Sequence, residues 1–126
     1  MEETLISFET AKLAKEVNID LKQLPTTTGK NWYTRSGTLN GYTPKEPYYT
    51  TSQSILQKIL RDTCNIIIGI SLDTLFKRDT YCIFIYEKVE DLTISRPLTN
   101  ELFSGYNTYE EALEVGLQEA LKLIKN

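Results

Sequence analysis

Histidine is missing from this chain of 126 residues. That removes the commonest metal ligand and the commonest general base near neutral pH. Nucleophile pairs of the Ser–His and Cys–His kind are thereby excluded. Cysteine is scarce, with only Cys64 and Cys82. One falls at an expected helix end and the other in an expected strand. The main reading is two reduced, partly buried thiols in a cytosolic protein, with a disulfide between them as the alternative. Long apolar runs are also lacking. The longest purely aliphatic stretch is Ile66-Ile67-Ile68, far short of the about 20 residues that a membrane span needs. The opening Met1-Glu2-Glu3-Thr4 has no charged-then-apolar signal pattern. A soluble, intracellular protein is expected, with no membrane partner.

Positive charge is in short supply as well. The net charge is −3. Residues 1–80 carry ten Lys/Arg against nine Asp/Glu, a balance of +1, and residues 81–126 carry four against eight, a balance of −4. Without a domain-wide basic surface, nucleic-acid affinity driven by counterion release is disfavoured, although a local patch stays open. No Gly-rich phosphate loop, Cys/His metal spacing or nucleophile elbow occurs. The sequence therefore assigns no catalytic residue, no cofactor and no metal ligand.

What is present describes one globular domain over residues 1–126. Hydrophobic residues make up 40% and charged residues 25%, ordinary values for a folded chain. The clearest signal is the C-terminal stretch from Thr108 to Lys125. Leu113, Leu117, Ala120, Leu121 and Ile124 recur on one helical face. Thr108 suits the N-cap, with Glu111 three residues on able to close a capping box. Glu110, Glu111 and Glu114 lie at the positive end of the helix dipole, and Lys122 and Lys125 at the negative end. Gly116 sits mid-helix, where glycine costs about 1 kcal/mol against alanine. Its expected compensation is close approach to a neighbouring element.

Two further helices are expected. Ser7 can cap the first, over residues 7–17, with Phe8, Ala11, Ala14 and Val17 as a narrow apolar edge and Asn18 as a left-handed terminator. Thr50 or Thr51 can cap the second, which buries Ile55, Leu56, Ile59 and Leu60, turns Gln57, Lys58, Arg61 and Asp62 outward, and stops near Cys64-Asn65. Asn65 to Leu72 alternates with period two and reads as a strand. Thr80 to Val89 is a second strand, apolar on both faces, which predicts a central position with cover on both sides. Glu90-Asp91 reads as a turn and Leu92 to Arg96 as a short third strand ended by Pro97. Residues 98–107, with Ser104-Gly105, read as a loop. The expected class is α+β: helix, aromatic loop, helix, three-stranded antiparallel sheet and C-terminal helix, in two layers. The last five elements share the topology of the double-stranded-RNA-binding domain. That family starts its final helix with basic residues that meet phosphate, whereas Tyr109, Glu110, Glu111 and Glu114 stand here, so that function is not expected to carry over.

Residues 24–50 are different in kind. They hold three of the four prolines, three of the six glycines, Trp32 and four of the eight tyrosines. Flexible linkers do not spend aromatics at this density, so an ordered loop is expected, with room for one short hairpin at Asn40-Gly41. Trp32, Tyr33, Arg35, Tyr42, Tyr48 and Tyr49 form the candidate binding surface, with Lys30 and Lys45 interleaved. Trp, Tyr and Arg dominate the energetics of protein interfaces. Aromatic faces beside basic groups also stack on bases. The plainer alternative is that these rings cover the sheet or the helix junction in place of aliphatic core. Other charged groups read as solvated surface: Lys58, Arg61, Lys77 and Arg78 beside Asp62, Asp73 and Asp79, then Glu110, Glu111, Glu114 and Glu119. Glu87, Glu90 and Asp91 cluster near a turn.

Three stretches resemble a family of small uncharacterised proteins of gut Bacteroidetes, their prophages and their phages. They are Phe8–Val17 (FETAKLAKEV), Thr51–Ile66 (TSQSILQKILRDTCNI) and Tyr106–Leu123 (YNTYEEALEVGLQEALKL). The resemblance covers under half of the chain and brings no activity, cofactor or catalytic residue. It implies a phage or mobile-element setting. The sequence thus points to a non-enzymatic accessory protein acting through contacts with a protein partner. The alternative is a nucleic-acid-binding module using loop 24–50. An enzyme would need carboxylate, Lys or Tyr chemistry that no motif reveals.

Overall fold

The computed structural model describes residues 4–19, 21, 31–42, 47–73, 80–88, 95–97 and 103–125. The chain is α+β. Its elements run α1 (Phe8–Glu16), β1 (Asn31–Tyr33), β2 (Tyr48–Thr50), α2 (Gln53–Cys64), β3 (Ile66–Asp73), β4 (Thr80–Lys88), β5 (Ser95–Pro97), β6 (Phe103–Tyr106) and α3 (Tyr109–Lys125).

Side chains set the helix ends. The Ser7 hydroxyl accepts from the Thr10 N–H at the start of α1, and Asn18, with φ +64°, turns the chain away beyond its end. The Thr108 hydroxyl accepts from the Glu111 N–H at 3.0 Å and caps α3. The cap of α2 is Ser52, not Thr50 or Thr51. Thr50 is the last residue of β2, and the carbonyl of Thr51 accepts the Ile6 N–H at 2.9 Å. Both are still in extended structure, so the helix begins two residues later. Asn65, with φ +58°, ends α2 in the left-handed region and sends the chain directly into β3.

The larger sheet is antiparallel and β4 is its centre. It pairs with β3 from Ile66↔Glu87 to Asp73↔Thr80 on one side. On the other side it pairs with β5 near Tyr86 and with β6 near Tyr81 and Ile83. The sheet therefore has four strands where three were expected, with β6 lying inside the supposed loop 98–107. Ser104-Gly105 had the look of a turn. Gly105, with φ +90°, instead sits where the β4–β6 register shifts, and an extra residue is accommodated there as a bulge. The expected start of the third strand at Leu92, and the Glu90-Asp91 turn, lie outside the described residues.

One sheet face carries the helices. α3 lies across β3 and β4, flanked by α1 and α2. Leu56, Leu60, Ile66, Ile68, Ile83, Ile85, Leu113, Leu117 and Leu121 are buried between the layers. Each fully buried aliphatic side chain of this size contributes about 1.5–3 kcal/mol. Gly116 makes the close approach that its position predicts. A Cβ there would stand 2.9 Å from Ile68 Cγ2 and 3.1 Å from Ile83 Cγ2. On the opposite face of β4, where its apolar pattern predicts cover, Cys82 is buried. Among the described elements no helix packs there, and Phe84 and Tyr86, both half-buried, stack on each other at 6.2 Å. Cys64 and Cys82 are free thiols, and burial pushes the Cys64 thiol up from its ordinary value.

Candidate functional site

The aromatic stretch folds as a small antiparallel sheet with Asn31↔Thr50, Trp32↔Tyr49 and Tyr33↔Tyr48 as cross-strand pairs. Neighbouring chain meets it at two points, one on β1 and one just past β2. Leu39 bridges to Tyr33 on one side, and Leu5 bridges to Ser52 on the other. The Ile6 N–H to Thr51 carbonyl and Gln53 N–H to Thr4 carbonyl bonds tie the N-terminal segment along that second edge. Lys30 and Lys45 lie outside the described residues.

The six candidate residues divide. Tyr33 and Tyr48 turn inward onto Phe8, edge to face, with ring centroids 5.8 and 5.7 Å away. The Tyr33 hydroxyl donates to the Ile6 carbonyl at 2.8 Å, which also accepts from the Thr50 hydroxyl at 3.2 Å. Burial first, and then the nearby Glu114 carboxylate, raise the Tyr33 phenol above its ordinary value, with the Thr50 hydroxyl opposing. Lys12 and Lys15 sit over Phe8 and Tyr48 at 5.4 and 5.0 Å, cation on ring. Tyr49 is half-buried and packs against the core. These three tyrosines are structural. The Tyr33 and Tyr48 rings cover Phe8 of α1, and the Tyr33 hydroxyl ties to the segment before it.

Trp32, Arg35 and Tyr42 are the remainder. The turn that carries them is held by its own hydrogen bonds. Trp32 Nε1 donates to the Gly41 carbonyl at 3.0 Å, and the Trp32 N–H donates to Asn40 Oδ1 at 3.1 Å. The Asn40 N–H returns to the Trp32 carbonyl at 2.7 Å, and Asn40 Nδ2 reaches Asn31 Oδ1 at 2.8 Å. The Thr34 and Thr38 backbones close the turn at 2.9 Å. Gly37 takes φ +95° with Phe8 directly beneath it: a Cβ there would lie 3.1 Å from the ring. On this frame Tyr42 is 89% exposed, Leu39 is 45% exposed, Arg35 is exposed and Trp32 is half-buried. Leu39 was not singled out in the sequence. Its signal is a lone aliphatic residue among Ser36, Gly37, Thr38, Asn40 and Gly41.

A second cluster was also not legible. Glu114, assigned to a solvated helix face, is half-buried and joins three helices. Its Oε2 accepts the Ser7 backbone N–H at 2.9 Å and the Thr10 hydroxyl. Its Oε1 accepts Gln53 Nε2 at 2.9 Å. Gln118 adds Nε2 contacts to Thr10 Oγ1 at 3.1 Å and Ser7 Oγ at 3.4 Å. A carboxylate at the start of α1 also complements that helix dipole. Glu110 and Glu111 remain exposed, as a solvated face requires. The bonds of this cluster link Ser7 and Thr10 of the α1 start to Gln53 of α2 and Glu114 and Gln118 of α3, so it holds α1 against α2 and α3. Lys58 and Arg61 are exposed on α2, where Arg61 lies 3.4 Å from Asp62, and Lys77 and Arg78 lie outside the described residues. No protein-family model, curated protein or solved structure matches the chain.

Proposed function

We propose that this chain is a non-enzymatic accessory protein of a phage or mobile genetic element, acting in the host bacterial cytoplasm by docking to another protein. The docking surface is the tip of the small sheet, formed by Trp32, Arg35, Leu39 and Tyr42. One observation carries the reading: Leu39 and Tyr42 stand exposed on a turn that is pinned by the Trp32–Asn40–Gly41 and Thr34–Thr38 hydrogen bonds. Ordering such groups beforehand removes an entropy cost from binding. Exposed Tyr and Arg beside a half-buried Trp on one turn are residue types of interface hot spots.

The aliphatic Leu39 favours a protein over a nucleic acid as partner, because it offers neither a stacking face nor a phosphate contact. The chain's negative net charge points the same way. No described helix is long and apolar enough to cross a membrane. The test is affinity capture from phage-infected host lysate with the wild type and with Arg35→Ala/Tyr42→Ala, read by mass spectrometry. A partner captured by the wild type and lost by the double variant is expected. A gel shift with single-stranded and duplex DNA and RNA at low salt is the companion. A shift that the double variant abolishes, without any captured protein, would replace this reading by a nucleic-acid-binding one.

A further inference from the structure

The edges of the two sheets are treated differently. The β1–β2 sheet is met by neighbouring chain at Tyr33 of β1 and at Ser52, just past β2. On the far side of β4, the strands β5 and β6 are three and four residues long. One ends in Pro97, which cannot donate, and the other is bulged. β3 has none of these defences. It is eight residues long, its outer edge pairs with nothing among the described residues, and Ile66 to Leu72 contains no charge, proline or bulge.

The outward backbone groups of β3 can be identified. Gln57 Nε2, from α2, donates to the Ile68 carbonyl at 2.8 Å. Pro97, opposite Tyr86, has no N–H to give, so the Tyr86 backbone groups turn to Ile67 of β3 and the Ile68 carbonyl lies on the free edge. Alternation along an antiparallel strand then places the backbone groups of Ile66, Ile68, Ile70 and Leu72 outward, and those of Ile67, Gly69 and Ser71 toward β4. This edge is self-complementary. An antiparallel copy centred on Gly69 brings Ile68 opposite the partner's Ile70 and Ile66 opposite the partner's Leu72, and all four are outward-facing positions. The two Gly69 residues meet on the axis as a non-hydrogen-bonded pair, where the strands come closest and the absence of side chains removes any clash. No like charges face each other. Leu72, 52% exposed in the single chain, gains an apolar neighbour.

We infer that β3 is a homodimerisation edge, and that a second copy of this chain pairs with it antiparallel about a two-fold axis at Gly69. One sheet then runs through both copies, an isologous contact. The Ile68 carbonyl keeps its bond from Gln57, because a backbone carbonyl has two lone pairs.

The register supplies the test. On the outer face, Ile67 lies opposite the partner's Ser71. Ile67→Lys/Ser71→Lys places two pairs of like charges across the axis, whereas Ile67→Lys/Ser71→Glu places two pairs of opposite charges there. Sedimentation equilibrium over about 1–100 µM, a range that spans ordinary dimer affinities, should show a wild-type dimer. The Lys/Lys variant should dissociate at least about tenfold more readily than the Lys/Glu variant. A monomeric wild type throughout that range, or equal dissociation of the two variants, overturns the inference. If Ile67→Lys prevents folding, amide exchange on the wild type decides. The amides of Ile68, Ile70 and Leu72 should slow with rising protein concentration while those of Ile67, Gly69 and Ser71 stay protected throughout. Concentration-independent exchange at Ile68, Ile70 and Leu72 refutes the dimer.

Discussion

Replacing Glu114 by alanine should unlock α1 before it disturbs the sheet. The carboxylate accepts three hydrogen bonds, from the Ser7 N–H, the Thr10 hydroxyl and the Gln53 amide. Thr10 is fully buried and Gln53 is 5% exposed, so water cannot readily take over. The Thr10 hydroxyl has a substitute acceptor in Ser7 Oγ at 3.1 Å, and Gln53 Nε2 keeps its bond to the Glu110 carbonyl. The main uncompensated loss is therefore the Ser7 N–H and one Gln53 hydrogen. Each donor left without a partner costs about 1–3 kcal/mol, with charge-assisted bonds at the upper end. The losses are coupled and do not simply add, so Glu114→Ala should destabilise by about 3 kcal/mol. For a domain of this size that lowers Tm by about 10 °C. Glu114→Gln keeps one acceptor but turns an NH2 group toward a donor, and should lie between the alanine variant and the wild type. Glu111→Ala, an exposed position one turn away, loses only its first-turn dipole and capping contribution and should cost no more than about 1 kcal/mol. Calorimetry gives the magnitudes, and hydrogen exchange should show amides of α1 opening ahead of those of β3 and β4. Equal effects of the Glu114 and Glu111 substitutions would refute the role of this carboxylate.

Other consequences follow from single groups. The Thr51 hydroxyl is buried and has no hydrogen-bond partner among the described residues, so Thr51→Val should stabilise the fold by about 1 kcal/mol in chemical denaturation; a loss of stability would mean that the hydroxyl is satisfied. Gly116→Ala would gain about 1 kcal/mol in helix propensity but must displace Ile68 or Ile83, so net destabilisation by about 1 kcal/mol is expected, and a raised Tm would contradict the close packing. The raised Tyr33 phenol stabilises the fold in its neutral form. That contribution is complete below the ordinary tyrosine value, near 10, and is lost as the pH rises above it, because the unfolded chain then ionises first. Tyr33→Phe should flatten the alkaline limb of the stability curve, as followed by fluorescence unfolding at pH 9–11.5, an interval of about 2.5 units around the free phenol value.

The three helices were legible because caps and apolar spacing are local signals. Ser7, Thr108 and Asn65 each act where the sequence places them, and Leu113, Leu117 and Leu121 form the stripe that meets the sheet. β3 and β4 were legible for the same reason. The failures are non-local. Glu114 fits a solvated face by spacing alone, and only tertiary structure brings Ser7, 107 positions away, to its carboxylate. β6 is short, and its glycine serves as a bulge where a turn was the simpler reading. In the aromatic stretch, composition indicated order but not direction. It could not separate Tyr33 and Tyr48, which serve Phe8, from Tyr42, which faces solvent.

The central claim is that the turn bearing Trp32, Arg35, Leu39 and Tyr42 is a preformed protein-docking surface. Its most direct test is the capture experiment made quantitative. Once a captured partner is purified, its affinity is measured for the wild type, Arg35→Ala, Leu39→Ala and Tyr42→Ala, with Lys58→Ala on the exposed face of α2 as control. Each of the three tip substitutions should weaken binding by about tenfold or more, that is by at least 1.4 kcal/mol, at unchanged Tm, and the control should have no effect. A partner that binds all four variants like the wild type would contradict the account.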